Sequence, residues 1–158
     1  MQQPLFPWQL LNNPKFEPTV GQLMDLCEEN YHLMLKIAPQ IRKMQGKSVS
    51  CHSAEGTAGV DLFLEVLEQS PYTSLIHLTH FLEKDSGGDP DAVIRIYHDS
   101  SQIEVIDLKQ KNLPVICDYQ PPSLRLKWKA NLFIFKWLNF CRKQGYIFSL
   151  SKAQTACA

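Results

Sequence analysis

Residues 60–82 read VDLFLEVLEQSPYTSLIHLTHFL, and this stretch decides the fold. Before its centre, Leu62, Leu64 and Val66 alternate with Asp61, Phe63, Glu65 and Leu67. After it, Ile76, Leu78, His80 and Leu82 alternate with Leu75, His77, Thr79 and Phe81. Successive side chains of a strand point to opposite faces, so a period of two predicts strands over 60–69 and 73–82. Ser70-Pro71-Tyr72 between them has turn chemistry, with proline presetting φ. A connection this short pairs the strands antiparallel.

Working outward, residues 92–97 and 102–108 repeat the strand pattern, and His98-Asp99-Ser100-Ser101 joins them as a short hairpin. Asp85 to Pro90 is a loop by composition. Leu113 to Tyr119 adds a further edge strand, ended by Pro121-Pro122. On the other side, Ser48 to Ser53 is a first strand, followed by a hairpin loop at Gly56-Thr57-Ala58-Gly59. The sum is an antiparallel meander of five to six strands.

A helix stands at each end. Thr19 is a good N-cap, and Val20, Leu23, Met24, Cys27, Tyr31, Met34 and Ala38 form one apolar stripe before Pro39 ends the pattern. The last element runs from about Lys127 to Gln144, with Ala130, Phe133, Ile134, Trp137, Leu138 and Cys141 as its stripe and Gly145 as its stop. Leu132, Phe135 and Phe140 widen that stripe, so this helix needs more than one contact surface. It lies between the sheet and another element, or forms a dimer face; the first is favoured. The fold class is therefore α+β, with an N-terminal helix, the meander, and a C-terminal helix packed on the sheet. Residues 1–18, with four prolines, are an arm that docks or stays mobile; 19–150 are a single domain; 151–158 are a tail.

With 158 residues the chain buries roughly two thirds of its surface and needs no staples. A hydrophobic fraction of 44% with 20% charged residues excludes disorder throughout. No run reaches the roughly 18 apolar residues of a membrane span, and the first residues lack a secretory pattern. Cys27, Cys51, Cys117, Cys141 and Cys157 are widely spaced and odd in number, which fits reduced thiols and a cytoplasmic protein. Net charge is zero but unevenly placed. Residues 1–108 hold 7 basic and 15 acidic residues, while 109–158 hold 9 basic and one acid, Asp118. That split signals an anionic partner or two halves that pack and complement each other; the second is expected.

Phosphate-binding glycine motifs are absent. His77 and His80 are three apart in a strand, so they face opposite sides and share no metal; no metal site and no cofactor are expected. His98-Asp99 could orient an imidazole for base work, although Asp beside His is also ordinary turn chemistry. Arg125-Leu126-Lys127-Trp128-Lys129 interleaves cations with an aromatic, a pattern that grips phosphates and stacks a base, or else describes a solvated first turn.

Leu23-Met24-Asp25-Leu26-Cys27-Glu28-Glu29-Asn30-Tyr31, followed by Leu33 and Ala38-Pro39, resembles the opening helix of the YqiB-like family of bacterial proteins, a domain of unknown function. Glu68 to Ser74 resembles that family's central hairpin, and Arg95-Ile96-Tyr97-His98-Asp99 with Glu104-Val105 its Arg-x-Tyr-His-Asp block. Asn131, Phe133, Trp137-Leu138, Cys141 and Gly145 resemble its closing helix. The four blocks cover roughly residues 18–146. The resemblance implies an α+β domain in a bacterial cytoplasm with no assigned activity. Family members often carry Asp-Glu-Lys before the closing-helix Asn; here Arg125-Leu126-Lys127 stands there, and both acids are missing.

The leading expectation is a non-enzymatic binding or adaptor protein, with a protein partner or a second copy on the C-terminal helix and no membrane partner. The second is a nucleotide or nucleic-acid binder that grips an anionic ligand through Arg125, Lys127, Trp128 and Lys129, assisted by Arg95 and His98. The third is an enzyme using His98 and Asp99. No residue is assigned as catalytic.

Overall fold

A computed structural model describes residues 17–50, 61–81, 90–109 and 124–148, with the side chains of Ser48, Val49, Ser50 and Phe81 left aside. The elements are α1 (Val20–Ile37), a 3-10 turn (Ile41–Lys43), β1 (Gly46–Ser50), β2 (Asp61–Gln69), β3 (Thr73–Phe81), β4 (Asp91–Tyr97), β5 (Gln102–Lys109) and α2 (Leu124–Gln144). The arm, the loops at 56–59 and 85–89, residues 51–53, the expected strand at 113–119 and the tail lie outside the described residues.

The strands form one sheet in the order β1-β2-β3-β4-β5, every neighbouring pair antiparallel, which is the expected meander. The first strand starts two residues before its expected position, because Gly46 at φ +73° supplies the left-handed turn that leads into it. Leu62, Leu64, Ile76, Leu78, Ala92, Ile94, Ile96, Ile103 and Leu108 are buried on the helix-covered face. The strict alternation fails at two bulges. Val66 pairs with Ile76 and Glu68 with Leu75, leaving Leu67 without an opposite residue. Ile94 pairs with Val105 and Val93 with Asp107, leaving Ile106 likewise. Both extra residues are exposed, because a bulge turns its additional side chain out of the ladder.

Thr19 caps α1 as expected. Its Oγ1 accepts from the Gln22 N–H at 3.1 Å, and Gln22 Oε1 accepts from the Thr19 N–H at 2.9 Å, a reciprocal capping box. The buried arc is not centred on the expected stripe. Cys27, Tyr31, Met34 and Ala38 of that stripe are buried as expected, and Leu26, Asn30, Leu33 and Ile37 are buried beside them, whereas Val20 and Met24 are 62% and 53% exposed. The helix touches both β5 and α2, so it buries side chains toward two neighbours.

α2 begins at Leu124, three residues before its expected start, since Arg, Leu and Lys are all good helix formers. It ends in a Schellman motif: Tyr146 N–H donates to the Cys141 carbonyl and Gly145 N–H to the Arg142 carbonyl, with Gly145 at φ +91°. Its second contact surface is α1, so it lies between the sheet and another element. The helices run in the same direction. Arg125 meets Glu17 at one end, Asn131 meets Asn30 midway, and the Phe148 N–H donates to the Ile37 carbonyl at the other end.

Candidate functional site

His98 follows β4 directly, in the four-residue link to β5, and its side chain turns inward. It is 7% exposed, and Ser74 beside it is 0% exposed. The direction of every proton here follows from one amide. Gln69 donates both Nε2 hydrogens, to the carbonyls of Ile41 at 2.9 Å and Met44 at 3.0 Å. Its Oε1 therefore accepts, and the Ser74 hydroxyl donates to it. A hydroxyl has one proton, so Ser74 Oγ can only accept from His98 Nε2 at 2.8 Å. The neutral imidazole then carries its proton on Nε2, and Nδ1 accepts from the Tyr31 hydroxyl at 3.5 Å. Burial, and secondly the Arg42 charge, hold His98 below its ordinary value, against a smaller upward pull from Asp99.

That polarity has a chemical consequence. A base activates a hydroxyl by presenting a lone pair to it, whereas His98 presents a proton to Ser74. Asp99 is exposed and forms no hydrogen bond to His98 among the described residues. The pair expected from sequence is thus split, with His98 in the core and Asp99 in solvent. The relay cross-links the fold: the His98 N–H donates to the Tyr72 carbonyl at 2.8 Å, and Arg42 Nη2 to the Pro71 carbonyl at 2.7 Å, so both hairpin turns and the 3-10 turn are tied to α1.

Arg95 lies on the open face of the sheet, 4.0 Å from Glu68. No hydrogen bond or ion pair among the described residues joins Arg95 or His98 to Arg125, Lys127 or Lys129. The basic segment itself is rearranged by being helical. Trp128 is 5% exposed, packed with Leu26 and Leu132 in the seam between the helices, so it stacks on no surface ligand. Arg125 donates to Glu17 at 2.6 Å. At 100° per residue Lys127 falls on a different flank from Arg125 and Lys129.

The same geometry assembles another set. Arg125, Lys129, Lys136, Phe140 and Lys143 fall within an arc of about 60° on the side of α2 away from its buried face. The 21 residues of α2 include no acid. Lys127, Lys129, Lys136, Arg142 and Lys143 are exposed and form no ion pair among the described residues. Sequence reading missed Lys136, Phe140 and Lys143 because it weighed cations by adjacency along the chain; spacing them at 3, 4 and 7 would have found them. Of the expected complementing of the basic and acidic halves, the described residues of α2 show one instance. Arg125–Glu17 is the one ion pair among the described residues that joins α2 to the rest. The other cations sit opposite the buried stripe, as amphipathicity requires.

The open face of the sheet holds a second missed cluster. His77 Nε2 contacts Asp91 Oδ1, and the Thr79 hydroxyl lies 3.1 Å from His77 and donates to Asp91 at 3.2 Å. A crevice of about 200 Å³, lined by Lys47, Phe63, Leu64, Glu65, His77 and Thr79, opens at it. It is smaller than the roughly 300–1,000 Å³ of a small-molecule site. His80 faces the other way, as expected: Trp137 Nε1 donates to its Nδ1 at 3.1 Å and Tyr146 Oη sits 3.2 Å from its Nε2. No group of three or more His, Cys, Asp or Glu among the described residues is arranged to hold a metal ion. No helix among them is long and apolar enough to cross a membrane. Burial pushes the Cys27 thiol up to about 11 and the Cys141 thiol up to about 12, so both are poor nucleophiles.

A helix, a five-stranded antiparallel meander and a closing helix that runs beside the first define an α+β domain with one sheet face covered. The chain belongs to the family described as protein of unknown function (DUF1249), which matches it over residues 33–147, from near the end of α1 to just past α2. No curated protein and no solved structure matches it.

Proposed function

We propose that this chain is a non-enzymatic binding or adaptor protein whose recognition surface is the outer face of α2 and whose partner is anionic. The observation that supports this is the stripe of cations on a helix without a single acid, held away from the acidic residues of the sheet. Unneutralised positive charge along one surface raises the local concentration of anions and steers their association. The proton arrangement at His98 and Ser74 favours a structural role there over catalysis. Of the apolar excess that made a dimer on α2 attractive, Leu132 and Phe135 pack against Leu26 of α1, which leaves Phe140 as the exposed ring. The setting we infer is the bacterial cytoplasm, on the YqiB-like resemblance and on cysteines without a closely spaced pair.

Heparin, a generic polyanion, supplies the test. The wild-type chain is expected to be retained on a heparin column and released by moderate salt. A Lys129→Glu, Lys136→Glu, Lys143→Glu variant is expected to pass through at low salt with unchanged circular dichroism. Equal retention of both proteins would remove the surface from consideration.

A further inference from the structure

We infer that the anion taken by the α2 stripe is a single-stranded nucleic acid, bound along the helix axis with Phe140 as the base-stacking platform. This rests on the reading that the outer face of α2 binds an anionic partner, and it names the partner.

Arg125 is paired with Glu17, so among the described residues the unpaired cationic track runs over the 14 residues from Lys129 to Lys143, roughly 21 Å at 1.5 Å per residue. Lys136 divides it into two equal steps of about 10 Å. Phe140 projects on the same arc between Lys136 and Lys143 and is 50% exposed. Its ring is not free to fold away, because it packs on the buried His80 imidazole with centroids 6.3 Å apart. Cations that follow a backbone, combined with an anchored aromatic face that any base can cover, are the two components of sequence-tolerant single-strand binding.

The alternatives fit less well. In a duplex the bases stack on each other, so an exposed ring finds no base face. Reading the major groove also requires a helix that can enter it. α2 is covered by the sheet and α1 along its inner side. A membrane-surface helix sinks its apolar face into the lipid and keeps its cations at the rim. Here that apolar face is the buried one, with Trp128, Leu132, Ile134, Trp137 and Leu138 inside the protein. An acidic protein surface would use the cations but leaves the position of Phe140 unexplained.

The test measures fluorescence anisotropy of a labelled oligothymidylate, a duplex of the same length and vesicles containing phosphatidylserine, each titrated with the full chain. Single strands are expected to bind most tightly. The slope of log K on log salt should be about −2, from three phosphate contacts at about 0.7 each. Phe140→Ala is expected to weaken single-strand binding about tenfold while leaving heparin retention unchanged, because heparin has no bases. Phe140→Leu, which keeps the apolar contact with His80 and removes the π face, should do the same if the alanine variant is destabilised. Lys129→Glu with Lys136→Glu should abolish both kinds of binding. Tighter binding to duplex or vesicles, or an unchanged single-strand affinity in Phe140→Leu, overturns this inference. If heparin retention depends on the stripe and the oligonucleotide does not bind, the inference fails and the broader reading stands. If the wild-type chain ignores heparin, both fail.

Discussion

Ser74→Ala tests the buried relay directly. Ser74 is fully buried, so the alanine side chain admits no water to replace the hydroxyl. Two groups lose their partners at once: Gln69 Oε1 loses a donor and His98 Nε2–H loses an acceptor. Leaving a buried polar group unsatisfied costs about 1–3 kcal/mol, so the substitution should cost about 2–6 kcal/mol. A domain of this size has about 5–15 kcal/mol in total, so the effect is a large fraction of its stability. At about 2–4 °C per kcal/mol, the melting temperature should fall by at least about 4 °C. Urea denaturation followed by circular dichroism measures it, with a lower midpoint and an unchanged slope. The loss should also be smaller when Ser74→Ala is made in a His98→Phe background, where one of the two orphaned groups no longer exists. Side-chain nitrogen chemical shifts supply an independent reading, since the proton arrangement requires the Nε2–H tautomer of His98. A cost below about 0.5 kcal/mol, or a proton found on Nδ1, would refute the derivation.

His98 also predicts a pH dependence. Its folded-state affinity for protons is below the ordinary value of 6.5, so near that pH the unfolded chain binds more protons than the folded one. Stability should therefore be fully present above about pH 6.5 and fall as the pH drops below it; comparison of wild type with His98→Asn in urea titrations isolates the contribution, and a flat difference would contradict it. Trp137→Phe puts a smaller phenyl ring in place of the indole and removes the N–H that bonds His80 Nδ1, and should cost at least about 1–3 kcal/mol in the same assay. Thr19→Ala removes the capping box of α1 and should cost about 1 kcal/mol, with Thr19→Ser recovering most of it. Cys27 and Cys141 should resist thiol reagents in the native protein and react on adding denaturant, as peptide mapping would show; native labelling at either would argue against their burial.

The type and order of the elements were legible in the sequence because both periods are local. Alternation over 62–66 and 76–80 needs only neighbouring residues to be read, as do the Thr19 cap and the Gly145 stop. The hairpin at His98 and the opposite facing of His77 and His80 came from the same local rule. Three things were decided only by tertiary contacts. The bulges at Leu67 and Ile106 depend on cross-strand register, which no single strand encodes. The inward turn of His98 depends on Tyr31, 67 residues earlier, and on Ser74 and Gln69 in a different hairpin. Adjacency to Asp99 pointed elsewhere. The basic segment changed most. As a linear motif, Arg125 to Lys129 looked like a patch with Trp128 at its centre. Packed against α1, the helix presents its spaced cations and Phe140 to solvent and takes Trp128 inside. Composition set how much positive charge and how much apolar surface α2 carries; the neighbours that cover one side of it determined which residues remain outside to meet a partner.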